Sequence, residues 1–158
     1  MRHLTDRPKR NGFTIVELIV AMAVIAVVTA VSLPTLATYW QTATLSAGAQ
    51  ELAAVLGRAR QLAIRQNGYV CVERTGNQIR FRTATAPNCA GTIWTSEGTD
   101  ANGWLSLTNR VQVSNATASP IFTYLGIATP GATFTVRNPV NSATQTVTVA
   151  GSGRVSVP

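Results

Sequence analysis

No charged side chain occurs between Leu18 and Gln50, and that uncharged run limits what this 158-residue chain can become. Leu18–Leu33 reads LIVAMAVIAVVTAVSL, apolar except for Thr29 and Ser32. With Phe13–Val16 it supplies about 20 residues, enough to cross a hydrocarbon core of about 30 Å at 1.5 Å per residue. Ahead of it, Met1–Gly12 carries Arg2, Arg7, Lys9 and Arg10 against Asp6, a net charge of +3. Lys and Arg stay on the cytoplasmic side, so the leader is expected inside and everything after Pro34 outside. A secretory signal also starts basic and then turns apolar. This run is long for one and continues into further helix, which favours a retained anchor.

Overall composition narrows the partners. The chain has 13 basic and 6 acidic residues, net +7, and Lys9 is the only lysine. At 46% hydrophobic and 12% charged it is too apolar for a disordered chain. One His and two Cys are too few ligands for a zinc ribbon or finger. Such an excess of arginine suits membrane phospholipid, nucleic acid or an acidic protein neighbour.

Glu17 interrupts the head of the apolar run. A carboxylate deep in lipid costs up to ~2.5–3.5 kcal/mol. It therefore either sits at the interface and reaches water, or awaits a positive partner on another chain. Gly12-Phe13-Thr14-Ile15-Val16-Glu17-Leu18 after a short basic leader resembles the prepilin signal of type IV pilins and type II secretion pseudopilins. That resemblance implies cleavage between Gly12 and Phe13 by prepilin peptidase, and N-methylation of Phe13. It also implies that Glu17 pairs with the amino group of a neighbouring subunit's first residue during filament assembly. Cleavage leaves 146 residues with net charge +4, so much of the basic excess belongs to the leader.

Beyond Pro34, which is expected to bend the helix or unwind it locally, the helical pattern continues. In filament-forming relatives a proline at the matching position marks where the helix melts on packing. Tyr39 and Trp40 fall where amphipathic rings settle at an outer interface. Leu45, Ala49, Leu52, Val55, Leu56, Ala59, Leu62 and Ala63 then form one apolar face. Glu51, Arg58 and Arg65 recur on a different, solvated face, and Asn67-Gly68 is a helix stop. Unbroken from Phe13 to Gln66, such a helix reaches roughly 80 Å.

After Gly68 the period becomes alternating. Tyr69–Arg74 and Gln78–Thr83 read as a hairpin around Gly76-Asn77. That register sets Val72 opposite Phe81, Glu73 opposite Arg80 and Cys71 opposite Arg82. Val70, Val72, Ile79 and Phe81 then line the buried face. Further strands are expected at Thr92–Thr95, Trp104–Leu107, Arg110–Ser114, Ile121–Leu125, Thr133–Arg137, Thr144–Ala150 and Arg154–Val157. Cys71 and Cys89 both lie on the outer, oxidising side, which favours a disulfide over two unpaired thiols. The bridge would add roughly 3 kcal/mol in the chain-entropy model.

Glu51-Leu52-Ala53, Ala59-Arg60-Gln61-Leu62-Ala63-Ile64-Arg65-Gln66-Asn67 and Tyr69-Val70-Cys71-Val72 resemble the GspH/FimT family. So does the closing Val147-Thr148-Val149 with Gly153-Arg154-Val155-Ser156-Val157. The resemblance implies a minor subunit: the pseudopilin H of type II secretion, or a minor pilin that primes type IV pili. The loops from Pro87 to Pro130 carry no such resemblance.

Catalysis is disfavoured. His3 is the only histidine and leaves with the leader, so no Ser-His or Cys-His pair survives. Glu97 and Asp100 lie in a Gly/Thr/Asn-rich loop that reads as a solvated turn. No phosphate loop, dinucleotide fingerprint or metal set occurs, so no cofactor is expected. DNA is the rival partner. Family members on competence pili grip it through Gly-Arg-x-Arg, of which Gly153-Arg154 is present while Ser156 replaces the second arginine. Arg80 and Arg82, with Arg74, Arg137 and Arg154, are the candidate phosphate contacts; the bland alternative pairs them with Glu73 and with neighbours.

The expected architecture is α+β: a long N-terminal transmembrane helix, pilin-like, packed on an antiparallel β-sandwich. Its parts are a leader at 1–12, a transmembrane and assembly helix at 13–40, and a periplasmic globular domain at 41–158. The expected role is a minor pseudopilin of a type II secretion system, anchored in the inner membrane. Its partners would be other pilin-like subunits and prepilin peptidase.

Overall fold

The computed structural model describes residues 12–109 and 111–158. The basic leader up to Asn11, with His3, lies outside the described residues, as does Arg110. The chain divides after Thr38 into two units. One helix, α1 (Ile15–Arg65), runs from the first into the second.

In the first unit every described helical side chain is exposed. This part of α1 is long and apolar enough to cross a membrane. Its hydroxyls are satisfied by its own backbone: Thr29 Oγ1 donates to Ile25 O (2.8 Å) and Ser32 Oγ to Val28 O (2.8 Å). An environment without water tolerates only polar groups that are paired in this way. Pro34 lies within the continuous helix α1.

In the second unit, Tyr39 onward, α1 buries the eight residues of its apolar face, Leu45 through Ala63, into one core. Gly48 lets the helix approach closely, because a Cβ there would collide with both methyl groups of Val111. The helix stops where Asn67 turns left-handed (φ 49°), with Gly68 N donating to Ala63 O (3.1 Å) and Asn67 N to Ile64 O (3.2 Å). Those two bonds satisfy two of the last carbonyls of the helix.

Among the described residues, ten strands follow: β1 (Tyr69–Thr75), β2 (Gln78–Ala84), β3 (Thr92–Ile93), β4 (Trp104–Ser106), β5 (Gln112–Ala116), β6 (Ile121–Phe122), β7 (Ala128–Thr129), β8 (Ala132–Arg137), β9 (Thr144–Val149) and β10 (Val155–Ser156). They form two antiparallel sheets. The first is ordered β3-β2-β1-β6-β7, with β4 also on the outer edge of β2. The second is ordered β10-β9-β8-β5. The β1–β2 register pairs Val72 with Phe81, Glu73 with Arg80 and Cys71 with Arg82, as the alternation dictated. Val70, Val72, Ile79 and Phe81 are buried, and both sheets share the core that receives α1.

Several strands differ from expectation. The run Ile121–Leu125 stops at Phe122, because Thr123 to Gly126 turns (Gly126 N to Thr123 O, 2.8 Å) and returns as β7. The expected strand Arg110–Ser114 begins instead at Gln112 and extends to Ala116, with a bulge between Val113 and Asn115. Bulges of this kind locate a bend that alternation cannot reveal.

Candidate functional site

The head of α1 is built by four residues. Thr14 N donates to Glu17 Oε2 (2.9 Å), Thr14 Oγ1 donates to the same oxygen (3.0 Å), and Glu17 N donates to Thr14 Oγ1 (3.2 Å). This is a reciprocal capping box: the first free N–H groups of the helix are bonded by the side chains that start it. The sequence signal was a Thr-x-x-Glu step directly before an apolar run, and it supplies a third role for Glu17 beside interfacial solvation and partner pairing. Oε1 of Glu17 accepts no hydrogen bond among the described residues. Phe13 is 91% exposed and a Cβ on Gly12 would meet nothing within 4 Å. The Gly12–Phe13 bond and a half-used carboxylate are therefore presented together.

The arginines form two groups. Arg80 Nε donates to Glu73 Oε2 (2.9 Å), and Arg82 Nε lies 2.9 Å from Glu73 Oε1. Arg82 Nη1 also donates to Gly91 O (2.9 Å), and the Arg80 guanidinium carbon sits 4.3 Å above the Trp104 ring. Burial pushes the Glu73 carboxyl up, but the hydrogen bonds and charges of Arg80 and Arg82 outweigh it and hold it below the usual range. Arg80 and Arg82, the candidate phosphate contacts, are thus both engaged within the fold, as the alternative pairing with Glu73 has it. Arg74 donates to Val113 O (2.7 Å) and Arg137 to Ser142 Oγ (2.7 Å). Arg137 is nonetheless exposed, as is Arg154 in the β9–β10 turn. Gly153 before it (φ 77°) packs so tightly on Gly126 O that no Cβ fits.

Glu51 is not merely solvated. Thr108 N (3.0 Å), Thr108 Oγ1 (2.9 Å) and Asn109 Nδ2 (2.9 Å) all donate to its carboxylate. Burial raises its pKa, yet the Thr108 and Asn109 hydrogen bonds bring it below the ordinary value. No local signal foretold this, because the partners lie 57 and 58 residues away. Asp100 Oδ1 accepts Asn102 N and Trp104 N at 2.8 Å each, so it shapes a turn.

Cys71 and Cys89 are bridged, with Cα atoms 5.2 Å apart. The bridge fastens the segment after β2 to the fully buried Cys71 of β1. A cleft of about 610 Å³ lies between that segment and the helix stop, bordered by Gln66, Asn67, Thr83, Asn88 and Thr92. Its lining carries amides, hydroxyls and small aliphatic groups, and no acid, base or thiol.

Residues 7–33 match the prokaryotic N-terminal methylation motif. No curated protein matches the chain. In structure it is similar to the type IV minor pilin FimU of Pseudomonas aeruginosa (TM-score 0.53, 19% identity, 76% of this chain and 92% of that one). It is equally similar to the minor pseudopilin EpsH from the type 2 secretion system of Vibrio cholerae (TM-score 0.53, 12% identity, 72% and 95%). The chain thus has a pilin-like α+β fold behind a methylation motif, a fold it shares with a minor pilin and a minor pseudopilin.

Proposed function

We propose that this chain is a minor subunit of a pilin-like filament, made as a prepilin and anchored in the inner membrane with its globular unit in the periplasm. The observation that carries the reading is the head of α1. A peptidase-type Gly12–Phe13 junction, the methylation motif and a capped, half-used Glu17 precede an apolar span joined to a domain of minor-pilin fold. The role follows from physical chemistry. Outside lipid, the exposed apolar helix is stable only when covered by other apolar helices. Oε1 of Glu17 is then positioned for a neighbour's N-terminal amine. Our preferred assignment is a minor pseudopilin of type II protein secretion, supported by the likeness to EpsH. A priming minor pilin of a type IV pilus is the second reading, supported by the likeness to FimU over 76% of the chain. A role in DNA uptake would draw on Arg154 of the Gly-Arg-x-Arg pattern and on Arg137, both exposed.

Processing is tested in the native cell by intact mass. The wild type is expected to lose 12 residues and gain one methyl group on Phe13. Gly12→Val is expected to stay full length, although the position has room for a side chain. Glu17→Ala should insert and be cleaved normally but leave the filament fraction. Normal assembly of that variant would refute the amine pairing.

A further inference from the structure

The turn between β6 and β7 raises three apolar side chains, Tyr124, Leu125 and Ile127, beside Ile64 on α1. All four are between 43% and 66% exposed. The turn is held in place from inside and from both sides. Thr123 N donates to Ile127 O (2.8 Å), and Arg60 Nε donates to Gly126 O (3.0 Å). Tyr69 meets Tyr124 edge-on at 6.1 Å, and Gly153 of the β9–β10 turn abuts Gly126 O. The apolar tip is therefore preorganised, which lowers the entropy lost on docking. The rim is cationic: Arg65 follows Ile64 and Arg154 follows Gly153, both exposed. Neither has a carboxylate partner among the described residues, where Glu73 takes the ion pairs. Between Tyr39 and Ile64 the helix rises roughly 38 Å, so this patch lies at the end of the unit away from the point where α1 enters it.

We propose that this tip docks the globular domain of another filament subunit, one that presents an apolar hollow rimmed by Asp and Glu. The inference rests on the filament reading above and adds the surface and the partner's chemistry. Arginine forks bind carboxylates through paired hydrogen bonds, and a Tyr/Arg cluster with an apolar centre is the composition of interface hot spots. A nucleic acid backbone would meet the arginines and leave the Leu125 and Ile127 side chains without a counterpart.

The test uses the full chain in its own cells. Cys71 and Cys89 are bridged, so Leu125→Cys supplies a single reactive thiol for a benzophenone label, and adducts are mapped by peptide mass spectrometry. The expected adduct joins residue 125 to the globular domain of a different prepilin-like subunit, beside Asp or Glu residues. Added Arg154→Glu, or separately Arg65→Glu, should lower it about tenfold, and replacing the facing carboxylate by Arg should restore it. Adducts only with lipid, only with a second copy of this chain, or with nothing would overturn the proposal. Val24→Cys carrying the same label reads the apolar helix independently. Subunit adducts at 24 with none at 125 overturn the docking surface alone; none at either position overturns the filament reading with it.

Discussion

Glu73 holds Arg80 and Arg82 at once, and Glu51 binds the backbone and side chains of the 108–109 turn. Both carboxyls titrate below the ordinary glutamate value of 4.5. The unfolded chain therefore takes up protons first as pH falls. The stability these groups add is complete above about pH 4.5 and is lost as pH drops through their folded-state values. Denaturant melts of the globular unit should accordingly weaken as pH falls below about 4.5. Glu73→Gln should cost about 1–2 kcal/mol at pH 7 and make that acid loss shallower. An acid slope unchanged by the substitution would remove Glu73 from the response. The Glu73–Arg80 pairing was legible, since a two-residue hairpin loop leaves one register. The Arg82 bond to Gly91 was not, because it depends on how the next loop folds back.

At the scale of elements, the start of α1 shows how a local motif can serve two ends. Thr14 and Glu17 cap the helix, while Glu17 keeps one oxygen uncommitted. Thr14→Ala should fray the first turn, raising amide exchange at residues 15–18 about fivefold in detergent micelles for a cap worth about 1 kcal/mol. It should still assemble, whereas Glu17→Ala should not. Equal assembly defects in the two variants would mean that the carboxylate acts only as a cap. The helix face and its stop at Asn67 were readable from period and turn chemistry. β7 was not, since two residues, Ala128 and Thr129, carry no detectable alternation.

For the globular unit as a whole, the long-range fastening is covalent as well as apolar. Cys71 sits within the core strand and Cys89 beyond β2, closing a separation of 18 residues. Cys71→Ala with Cys89→Ala should destabilise the unit by about 3 kcal/mol and lower its Tm on the order of 10 °C. The double variant should lose the ordered wall of the cleft first, seen as faster amide exchange at residues 85–91. Uniform exchange across the unit would show instead that the bridge acts only on global stability.

The sequence by itself determined what depends on neighbours along the chain. It specified the apolar span from charge and length, the helix face from its period, the first hairpin from Gly76-Asn77, and the prepilin-like junction from spacing around Glu17. Only the tertiary structure decided which arginines are engaged and which remain exposed. It also decided that Glu51 braces a distant turn, and that Ile64, Tyr124, Leu125 and Ile127 share one exposed tip. Periodicity reports a side chain's face on its own element. The identity of what meets that face is set by chain reversals tens of residues away.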